Sequence, residues 1–286
     1  MTQITADEIM METKNLTFCY EDESAALSDV SVSFKAGCVT AVLGGNGAGK
    51  STLFLNLNGV LKPQSGAIYY RGKRVSTPAD IKTLRKQVGI VFQDPNDQLF
   101  SSDVKNDIAF GALNLGLPNE EALKEVDHYA ALTGVADLLD KPTHALSFGQ
   151  KKRVAIAGVL IMKPEVIILD EPTAGLDPMG VSEILHLLLD IKKKTGMTLI
   201  LSTHDIDLVP LYCDYAYVMS AGKIATQGSP RALFQNADRL RSLGLRSPRI
   251  THLMEILKRE DQMPVDLSAS TISEARRAIK LLVGKP

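Results

Sequence analysis

The sequence contains no tryptophan, only three cysteines and few aromatic residues, which make up 5% of the chain. The cysteines, Cys19, Cys38 and Cys213, are far apart and lack the spacing of metal ligands, so we predict reduced thiols and no disulfide framework. The longest strongly apolar stretch, Val154 to Met162, is much shorter than the roughly 18 residues that cross a bilayer. We therefore expect a chain that does not span a membrane.

Net charge is nearly absent as well: it is −1 at pH 7, which gives no electrostatic reason to expect nucleic acid as a partner. The first residues, MTQITADEIM, lack the basic start and apolar centre of a secretory signal, so we predict a cytoplasmic location. The 286 residues are 45% apolar and 23% charged, as in ordinary globular proteins. This length predicts one large domain with an appendage.

Hydrophobic periodicity predicts an α/β fold. The opening third contains two alternating stretches, METKNLTFCY and LSDVSVSFKAG, which favour half-buried strands. Four apolar runs, found in CVTAVLG, QVGIVFQ, EVIILDEP and MTLILSTHD, instead predict buried parallel strands. Helical patterns such as VSEILHLLLDIKKK flank these runs, as expected for a parallel sheet that is covered by helices.

We predict a main domain over residues 1–240 and a C-terminal appendage over 241–286. A helical subdomain is expected at about 94–160, because helix-patterned segments such as EEALKEVDHYAALTG replace the strand patterns there. Later in the chain, YAYVMSAGKIATQG predicts a β-hairpin, and Ser229-Pro230 predicts the start of a helix. From that point the pattern is helical to the end.

A phosphate-binding loop is predicted directly after the apolar run CVTAVLG. Its glycines allow backbone N–H groups to turn toward a β-phosphate, Lys50 can reach the β and γ oxygens, and Ser51 can offer its hydroxyl to Mg²⁺. A chance turn is disfavoured, because the strand, the glycine spacing and the Lys-Ser pair would all have to coincide. The loop residues are Gly44, Gly45, Asn46, Gly47, Ala48, Gly49, Lys50 and Ser51, with Thr52 next.

Two carboxylates follow the apolar run VIIL, where a parallel sheet places its ligands. Asp170 is predicted to hold Mg²⁺, and Glu171, one step further, can orient and deprotonate an attacking water. Taken alone, Asp-Glu-Pro after a strand could also be a capped turn. The phosphate loop earlier in the chain favours the catalytic interpretation.

A second candidate anion site is the segment Ser147-Phe148-Gly149-Gln150, which precedes a helical run from Lys151 to Leu160. It combines a hydroxyl, a small residue and a helix N-terminus, which together can bind an anion. In isolation, the same residues would be interpreted as a simple N-cap.

In order, the phosphate loop, Gln93, LSFGQ, IILDEP, GLDP and STHD resemble the nucleotide-binding subunits of ABC transporters over residues 10 to 230 or so. The resemblance implies an α/β P-loop NTPase core of ABC type, with an N-terminal antiparallel β subdomain, a helical subdomain and a small C-terminal appendage. It implies ATP and Mg²⁺ as cofactors. Residues 147–150 would contact the γ-phosphate held by a second subunit, either an identical chain or a close relative, so hydrolysis would need a dimer.

The same resemblance implies individual roles. Tyr20 would stack on adenine, and Gln93 would contact Mg²⁺ and signal to a membrane partner. Asp177 would communicate across the dimer, and His204 would contact the γ-phosphate. Without the other motifs, Tyr20 would be interpreted as a half-buried strand aromatic and His204 as a loop histidine. The implied catalytic residues are Lys50, Glu171 and His204. The implied metal ligands are Ser51, Gln93 and Asp170.

One residue departs from the pattern of the family. The signature reads LSFGQ, with Phe148 where most members have a second glycine. Ser147 and Gly149 remain, so we expect activity, although a phosphate approaches a phenylalanine less easily than a glycine.

The run DPNDQLF, residues 94–100, followed by DVKNDIAFG, resembles the ATPase subunits of energy-coupling factor transporters, which import vitamins and transition-metal ions in prokaryotes. Together with LSFGQKKR it is most similar to the cobalt- or nickel-import subtype. The resemblance implies a transmembrane coupling subunit, a substrate-binding membrane subunit and a peripheral place on the cytoplasmic face of the membrane. It also implies that Leu99 and Phe100 are exposed contacts in a groove for the transmembrane partner. Residue type alone equally allows both to be core residues.

The sequence allows other functions to different degrees. A vitamin importer is the nearest alternative, because the solute-binding subunit is a different chain. A soluble ABC ATPase of the DNA-repair kind would carry long coiled coils before the signature, and no sustained heptads occur there. Ribosome-acting relatives carry two motif sets, whereas this chain has one. A P-loop kinase or GTPase would leave LSFGQ and STHD unexplained.

Overall fold

The computed structural model describes residues 8–21 and 24–282. Most of the segment from which the absence of a secretory signal was predicted, residues 1–7, therefore lies outside the described residues. Within the two described ranges, no helix is both long enough and apolar enough to cross a membrane.

The strands form two sheets. In chain order they are β1 (Ile9–Cys19), β2 (Ala25–Lys35), β3 (Val39–Leu43), β4 (Ser65–Tyr70), β5 (Lys73–Val75), β6 (Val88–Val91), β7 (Val166–Leu169), β8 (Thr198–Ser202), β9 (Tyr215–Ser220) and β10 (Lys223–Gly228). A four-stranded antiparallel sheet has the order β2-β1-β4-β5, and a six-stranded sheet has the order β10-β9-β3-β8-β7-β6. The predicted α/β fold with an N-terminal antiparallel subdomain is confirmed.

Parallel pairing holds the centre of the six-stranded sheet, as the apolar runs predicted. β3 pairs in parallel with both β8 and β9, β8 pairs with β7, and β7 pairs with β6. Every residue of β3, β7 and β8 is buried, because both faces of the sheet are covered. The predicted hairpin is present as the antiparallel pair of β9 and β10 at one edge.

Helices cover the sheets and build the rest of the chain. In chain order they are α1 (Lys50–Leu57), α2 (Pro78–Gln87), α3 (Val104–Asn114), α4 (Asn119–Thr133), α5 (Phe148–Leu160), α6 (Pro178–Thr195), α7 (Val209–Tyr212), α8 (Pro230–Phe234), α9 (Ala237–Ser242), α10 (Arg249–Arg259) and α11 (Ile272–Leu282). Short 3₁₀ turns lie at Pro95–Asp97, Ala136–Leu138, Thr143–Ala145 and Ile206–Leu208. The predicted start at Ser229-Pro230 is confirmed, with Ser229 as the N-cap of α8.

Two large apolar clusters lie on opposite faces of the six-stranded sheet. Because alternate residues of a strand point to opposite faces, Ile167 belongs to one cluster and Ile168 to the other. The second cluster also includes Phe34 of β2 and Phe54 of α1, so it joins the two sheets. This shared core fixes the end of β3 against α1, where the phosphate loop lies.

A third apolar cluster holds α3, α4 and α5 together, within the predicted helical subdomain. Its buried members include Ile108, Val126 and Val154, one from each of the three helices. The limits of this subdomain, about 94–160, remain a prediction.

The C-terminal helices have a small apolar cluster of their own, formed by Met254, Val265, Ala269 and Ala275. The predicted boundary at residue 240 falls inside α9, and Leu240 is buried in the main core. The division into a domain and an appendage, and a role of the appendage in dimerisation, therefore remain predictions.

Candidate active site

The phosphate loop lies between β3 and α1, as predicted. Two of its glycines are sterically required: a Cβ atom on Gly44 would lie 2.5 Å from the carbonyl oxygen of Met219, and one on Gly49 would lie 2.5 Å from that of Ala26. Gly49 also has a φ of 99°, a backbone conformation that residues with a Cβ atom rarely adopt. The loop can therefore pass close to the neighbouring backbone only with glycine at these two positions.

The first turn of α1 leaves its N–H groups without side-chain caps. Gly49 is the N-cap, and no acidic residue lies in the first turn of this helix. Such a turn favours an anion, because unpaired N–H groups and the helix dipole both point toward it. The buried Lys50 donates from Nζ to the carbonyl oxygens of Gly44 (2.9 Å) and Gly45 (3.2 Å). The backbone N–H groups of the first turn of α1 and the ammonium group of Lys50 therefore lie together at the phosphate loop.

The other predicted residues of the loop region differ in exposure. Asn46 and Gly47 are exposed, whereas Ala48 and Thr52 are buried. Tyr20 follows β1, is 43% exposed, and shares a hydrogen bond of 2.9 Å with the hydroxyl of Thr52. An exposed ring beside the loop is available for stacking on a base, and this role of Tyr20 stays a prediction.

Asp170 lies directly beside the phosphate loop, at the carboxyl end of β7. Its Oδ2 accepts a hydrogen bond from the Ser51 hydroxyl at 2.5 Å, and its Oδ1 accepts one from the Ser202 hydroxyl at 2.6 Å. Ser51 and Asp170 are thus brought together from α1 and β7, and both offer the oxygen ligands that Mg²⁺ prefers.

Glu171 is buried and faces the strand end that carries His204. Its Oε1 lies 2.9 Å from Nε2 of His204, and its Oε2 accepts from the backbone N–H of His204 at 3.3 Å. Burial raises the pKa of the Glu171 carboxyl above its ordinary value, while His204 and Lys50 act in the opposite direction. A carboxylate with a raised pKa is a stronger proton acceptor, as a general base requires.

The backbone of Glu171 is in the left-handed region, with a φ of 49°. For a residue other than glycine this conformation costs about 1–2 kcal/mol, so surrounding contacts must hold it. One contact is the Glu171 N–H, which donates to the Ser202 hydroxyl at 2.8 Å.

Gln93 lies two residues beyond β6 and lines a cleft of about 440 Å³ that Asp170 and Phe148 also line. The structure therefore brings Gln93 to the same cleft as the candidate metal ligand. Direct contact of Gln93 with a metal ion stays a prediction.

The signature residues begin α5. Ser147 is the N-cap: its Oγ accepts from the N–H of Gln150 at 3.3 Å, and its own N–H donates to Oε1 of Gln150 at 2.9 Å. Each side chain therefore accepts from the backbone N–H of the other residue, as in a capping box. Gly149 lies between them in the first turn of the helix. The N-cap interpretation is thus confirmed, and contact with a γ-phosphate stays a prediction.

Phe148, which replaces the expected glycine, turns toward its own chain. A Cβ atom on Gly175 would lie 2.8 Å from Cε1 of Phe148, so the ring fits only because residue 175 is glycine. The Nζ atom of Lys152 lies 5.3 Å from the centre of the same ring. Asp177, two residues after Gly175, caps α6 by accepting from the N–H of Gly180 at 2.7 Å. Its predicted role between subunits stays a prediction.

The prediction that Leu99 and Phe100 are both exposed is right for Phe100 and wrong for Leu99. Phe100 is 63% exposed and meets Phe110 edge-on, with ring centres 4.4 Å apart. Leu99 is partly buried and packs against the core clusters, because the turn at Pro95–Asp97 directs it inward. The buried Asp107 fixes this arrangement by accepting from the backbone N–H groups of Phe100 (2.9 Å) and Ser101 (2.8 Å).

Two residues of this region were not predicted from the sequence. Ser202 bonds to both Asp170 and the backbone of Glu171; its place beside the Thr203-His204 pair was the available signal. Lys152 is 2% exposed and donates to the carbonyl oxygens of Glu171 (2.9 Å) and Pro172 (3.0 Å). The sequence Lys151-Lys152-Arg153 gave no indication that its central lysine is buried.

Comparisons with known proteins show the family of this chain. The ABC transporter family profile matches residues 27–174. The chain is 53% identical over 274 residues to the energy-coupling factor transporter ATP-binding protein EcfA3 of Clostridium perfringens, covering 96% of each chain.

Solved structures show similarity over most of the chain. The structure of cbiO1 from Clostridium perfringens, described as part of the ABC transporter complex cbiONQ, is 54% identical with a TM-score of 0.75, covering 87% of this chain and 100% of that one. The ATP-binding cassette MJ0796, as a post-hydrolysis dimer with ADP and Pi, is 25% identical with a TM-score of 0.71, covering 77% and 99%. The chain thus belongs to the ABC transporter family, as an ATP-binding subunit of an energy-coupling factor transporter that hydrolyses ATP to drive transport.

Proposed function

We propose that this chain, paired with a second ATP-binding subunit, hydrolyses Mg²⁺-ATP to drive import of a transition-metal ion, cobalt or nickel, through membrane subunits. The observation that carries the catalytic part is the position of Glu171. A buried carboxylate lies one residue beyond Asp170, beside a phosphate loop and 2.9 Å from His204.

The proposed chemistry begins with binding of the ATP phosphates at the first turn of α1. Lys50 would leave the carbonyl oxygens of Gly44 and Gly45 for the β and γ oxygens, because a phosphate is a stronger acceptor than a carbonyl. Glu171 would orient the attacking water and accept its proton, and its raised pKa suits that task. His204, 49% exposed at its side chain, would contact the γ-phosphate while its backbone stays bonded to Glu171.

Mg²⁺ is proposed as the cofactor because the residues fit it. Ser51 and Asp170 present oxygen atoms 2.5 Å apart beside the loop, and Gln93 lines the adjoining cleft. When bound there, Mg²⁺ would neutralise charge that develops on the β- and γ-phosphate oxygens.

A dimer is proposed because the hydrogen bonds of Ser147 and Gln150 join these two residues and not the phosphate loop of the same chain. The side chains of Ser147 and Gln150 each accept from the backbone N–H of the other residue. We propose that the N-terminus of α5 receives a phosphate that another chain binds. The similarity to a cassette described as a dimer bound to ADP and Pi supports this arrangement. The second subunit would be an identical chain or a close relative.

A membrane partner is proposed to bind at a cleft of about 330 Å³ lined by Ile90, Phe100, Phe110 and Leu115. Phe100 is 63% exposed and Phe110 is 43% exposed, so a pair of aromatic rings is presented to solvent. Similarity to a protein described as part of a transporter complex supports a transmembrane coupling subunit and a substrate-binding subunit as partners. The chain would then lie at the cytoplasmic face of the membrane.

The cargo is proposed from the resemblance of DPNDQLF and LSFGQKKR to the cobalt- or nickel-import subtype. The test is ATP-dependent uptake of radiolabelled Co²⁺, Ni²⁺ or a vitamin into vesicles that contain the whole complex. Glu171→Gln in the same complex is the control for ATP dependence. Uptake of Co²⁺ or Ni²⁺ supports the proposal, whereas uptake of a vitamin without either ion would replace it with the vitamin-importer alternative.

A further inference from the structure

Lys152 is a charged residue that the structure buries almost completely. It lies on α5, one turn after Phe148, and only 2% of it is exposed. Among the described residues it forms no ion pair. Its Nζ donates instead to two backbone carbonyl oxygens, those of Glu171 at 2.9 Å and Pro172 at 3.0 Å. Burial of an ammonium group costs free energy, so the two hydrogen bonds that compensate this cost point to a role for Lys152.

The two carbonyl groups belong to the segment that carries the candidate base. Glu171 has a φ of 49°, a conformation that an L residue keeps only when its neighbours hold it. Its N–H group is held by the Ser202 hydroxyl at 2.8 Å, and its C=O group is held by Lys152. The peptide groups on both sides of the Glu171 Cα are therefore fixed, one from β8 and one from α5.

The lysine is itself held in position from the signature. The ring of Phe148 lies 5.3 Å from Nζ, within the range of a cation–π contact. Gly175 leaves the space that this ring fills. A continuous set of contacts thus runs from the first turn of α5, through Phe148 and Lys152, to the backbone of Glu171.

We propose that Lys152 is a positioning residue for Glu171: by holding the carbonyl groups of Glu171 and Pro172, it directs the Glu171 carboxylate toward the attacking water. This inference rests on the proposed role of Glu171 as the base. It predicts that Lys152 acts on the chemical step and leaves ATP binding unaffected, because Lys50 and the phosphate loop are independent of it.

The first test replaces Lys152 with Met, which keeps the length of the side chain but removes its donors. In the assembled complex we expect kcat to fall about 10- to 100-fold, as small misplacements of catalytic groups do, and KM for ATP to stay within about twofold. Lys152→Arg should recover part of the loss, because a guanidinium can donate to both carbonyl groups. The matched control is Lys163→Met, which removes an exposed lysine that pairs with Glu125 just beyond α5; its kcat should equal that of the wild type.

The second test combines Lys152→Met with Glu171→Gln and follows slow ATP cleavage in single-turnover experiments. If Lys152 acts through Glu171, the double variant should cleave ATP at the same residual rate as Glu171→Gln alone. A general structural defect would instead multiply the two losses. Equal residual rates, with unchanged ATP affinity, support the proposal.

Several outcomes would overturn it. They are a Lys152→Met complex that keeps more than half of the wild-type kcat, a loss of ATP affinity of the same size as the loss of kcat, and multiplicative losses in the double variant. Failure of both Lys152→Met and Lys152→Arg to fold would also overturn it, because it would show a purely structural lysine. If Glu171→Gln alone retains wild-type turnover, the proposed base is wrong, and that result is separate from any result at Lys152.

Discussion

The two halves of the candidate site are built in opposite ways. The phosphate-loop half is buried and bonded within the chain: Lys50, Asp170 and Glu171 are each at most 7% exposed, and each is bonded to a neighbouring element or loop. The signature half begins with the exposed Ser147, whose hydrogen bonds stay within its own turn of helix. The phosphate-loop half is therefore held by several elements of the chain, whereas the bonds of Ser147 in the signature half are local, and we propose that this half binds a ligand held by a second subunit.

This difference suggests which changes should be severe. Loss of a group in the phosphate-loop half leaves buried hydrogen-bond partners unsatisfied and also removes a group that is proposed to act in ATP hydrolysis. Loss of a group in the signature half, or on the surface near it, should leave the fold intact and affect assembly.

Replacing Lys50 with Ala should reduce ATP hydrolysis by the complex by at least about 100-fold, because the β and γ oxygens lose their cation in the transition state. ATP binding should weaken as well. Steady-state ATPase rates and nucleotide titration measure both effects. Lys62→Ala, at an exposed position beyond α1, is the control and should keep the wild-type rate. Retention of more than half of the wild-type turnover in Lys50→Ala would show that the loop does not hold the phosphates.

Replacing Glu171 with Gln should lower turnover by about 100-fold or more while ATP still binds, because the shape is kept and the base is lost. A dimer should then accumulate in ATP and Mg²⁺, which size-exclusion chromatography detects. Glu125→Gln removes an exposed ion pair with Lys163 and serves as the control, with no dimer accumulation expected. If Glu171→Gln stays monomeric at high protein concentration, the two halves do not meet between chains.

The same contrast explains how much could be predicted from sequence. The phosphate loop, Asp170 and Glu171 follow apolar strands, so local pattern and spacing were sufficient to place them. Lys152 was not predictable, because only tertiary packing of α5 against the segment of Glu171 and Pro172 buries this residue. Leu99 and Phe100 are adjacent and both apolar, and the difference in their exposure depends on a 3₁₀ turn and on the bonds of Asp107.

Leu99 and Phe100 therefore allow a comparison of two substitutions outside the phosphate-loop half. Leu99→Asp should destabilise the isolated subunit by about 3 kcal/mol, because it places a charge against the core. Phe100→Asp should cost no more than about 1 kcal/mol, since its main described contact is the edge of Phe110. Urea melts of the lone subunit measure both values.

The substitution Phe100→Asp, which should affect stability little, should strongly affect assembly with the transmembrane partner. Phe100→Asp should no longer copurify with the transmembrane partner, because a carboxylate in an apolar interface loses its hydration. Asn96→Asp, at an exposed residue of the same segment, is the control for added charge and should still copurify. A Phe100→Asp subunit that copurifies at wild-type yield would place the partner elsewhere.

The smallest expected effect is a pH dependence that Lys152 contributes to stability. Burial lowers the pKa of this lysine from 10.5 to about 8. Between those two values the unfolded chain binds the proton more tightly than the folded chain does. The contribution of Lys152 to stability therefore rises as the pH increases through this window, because the folded protein no longer has to hold a buried charge.

Comparison of the wild type with Lys152→Met isolates this contribution, since every other titrating group is present in both chains. The free energy of unfolding of the wild type, minus that of the variant, should increase by about 1 kcal/mol between roughly pH 7.5 and pH 9. Urea melts at the two pH values measure the difference. A difference that does not change with pH would mean that the folded protein holds Lys152 with an ordinary pKa, and that the carbonyl groups of Glu171 and Pro172 fully compensate the buried ammonium. A decrease would mean that these contacts favour the charged form beyond its hydration in water.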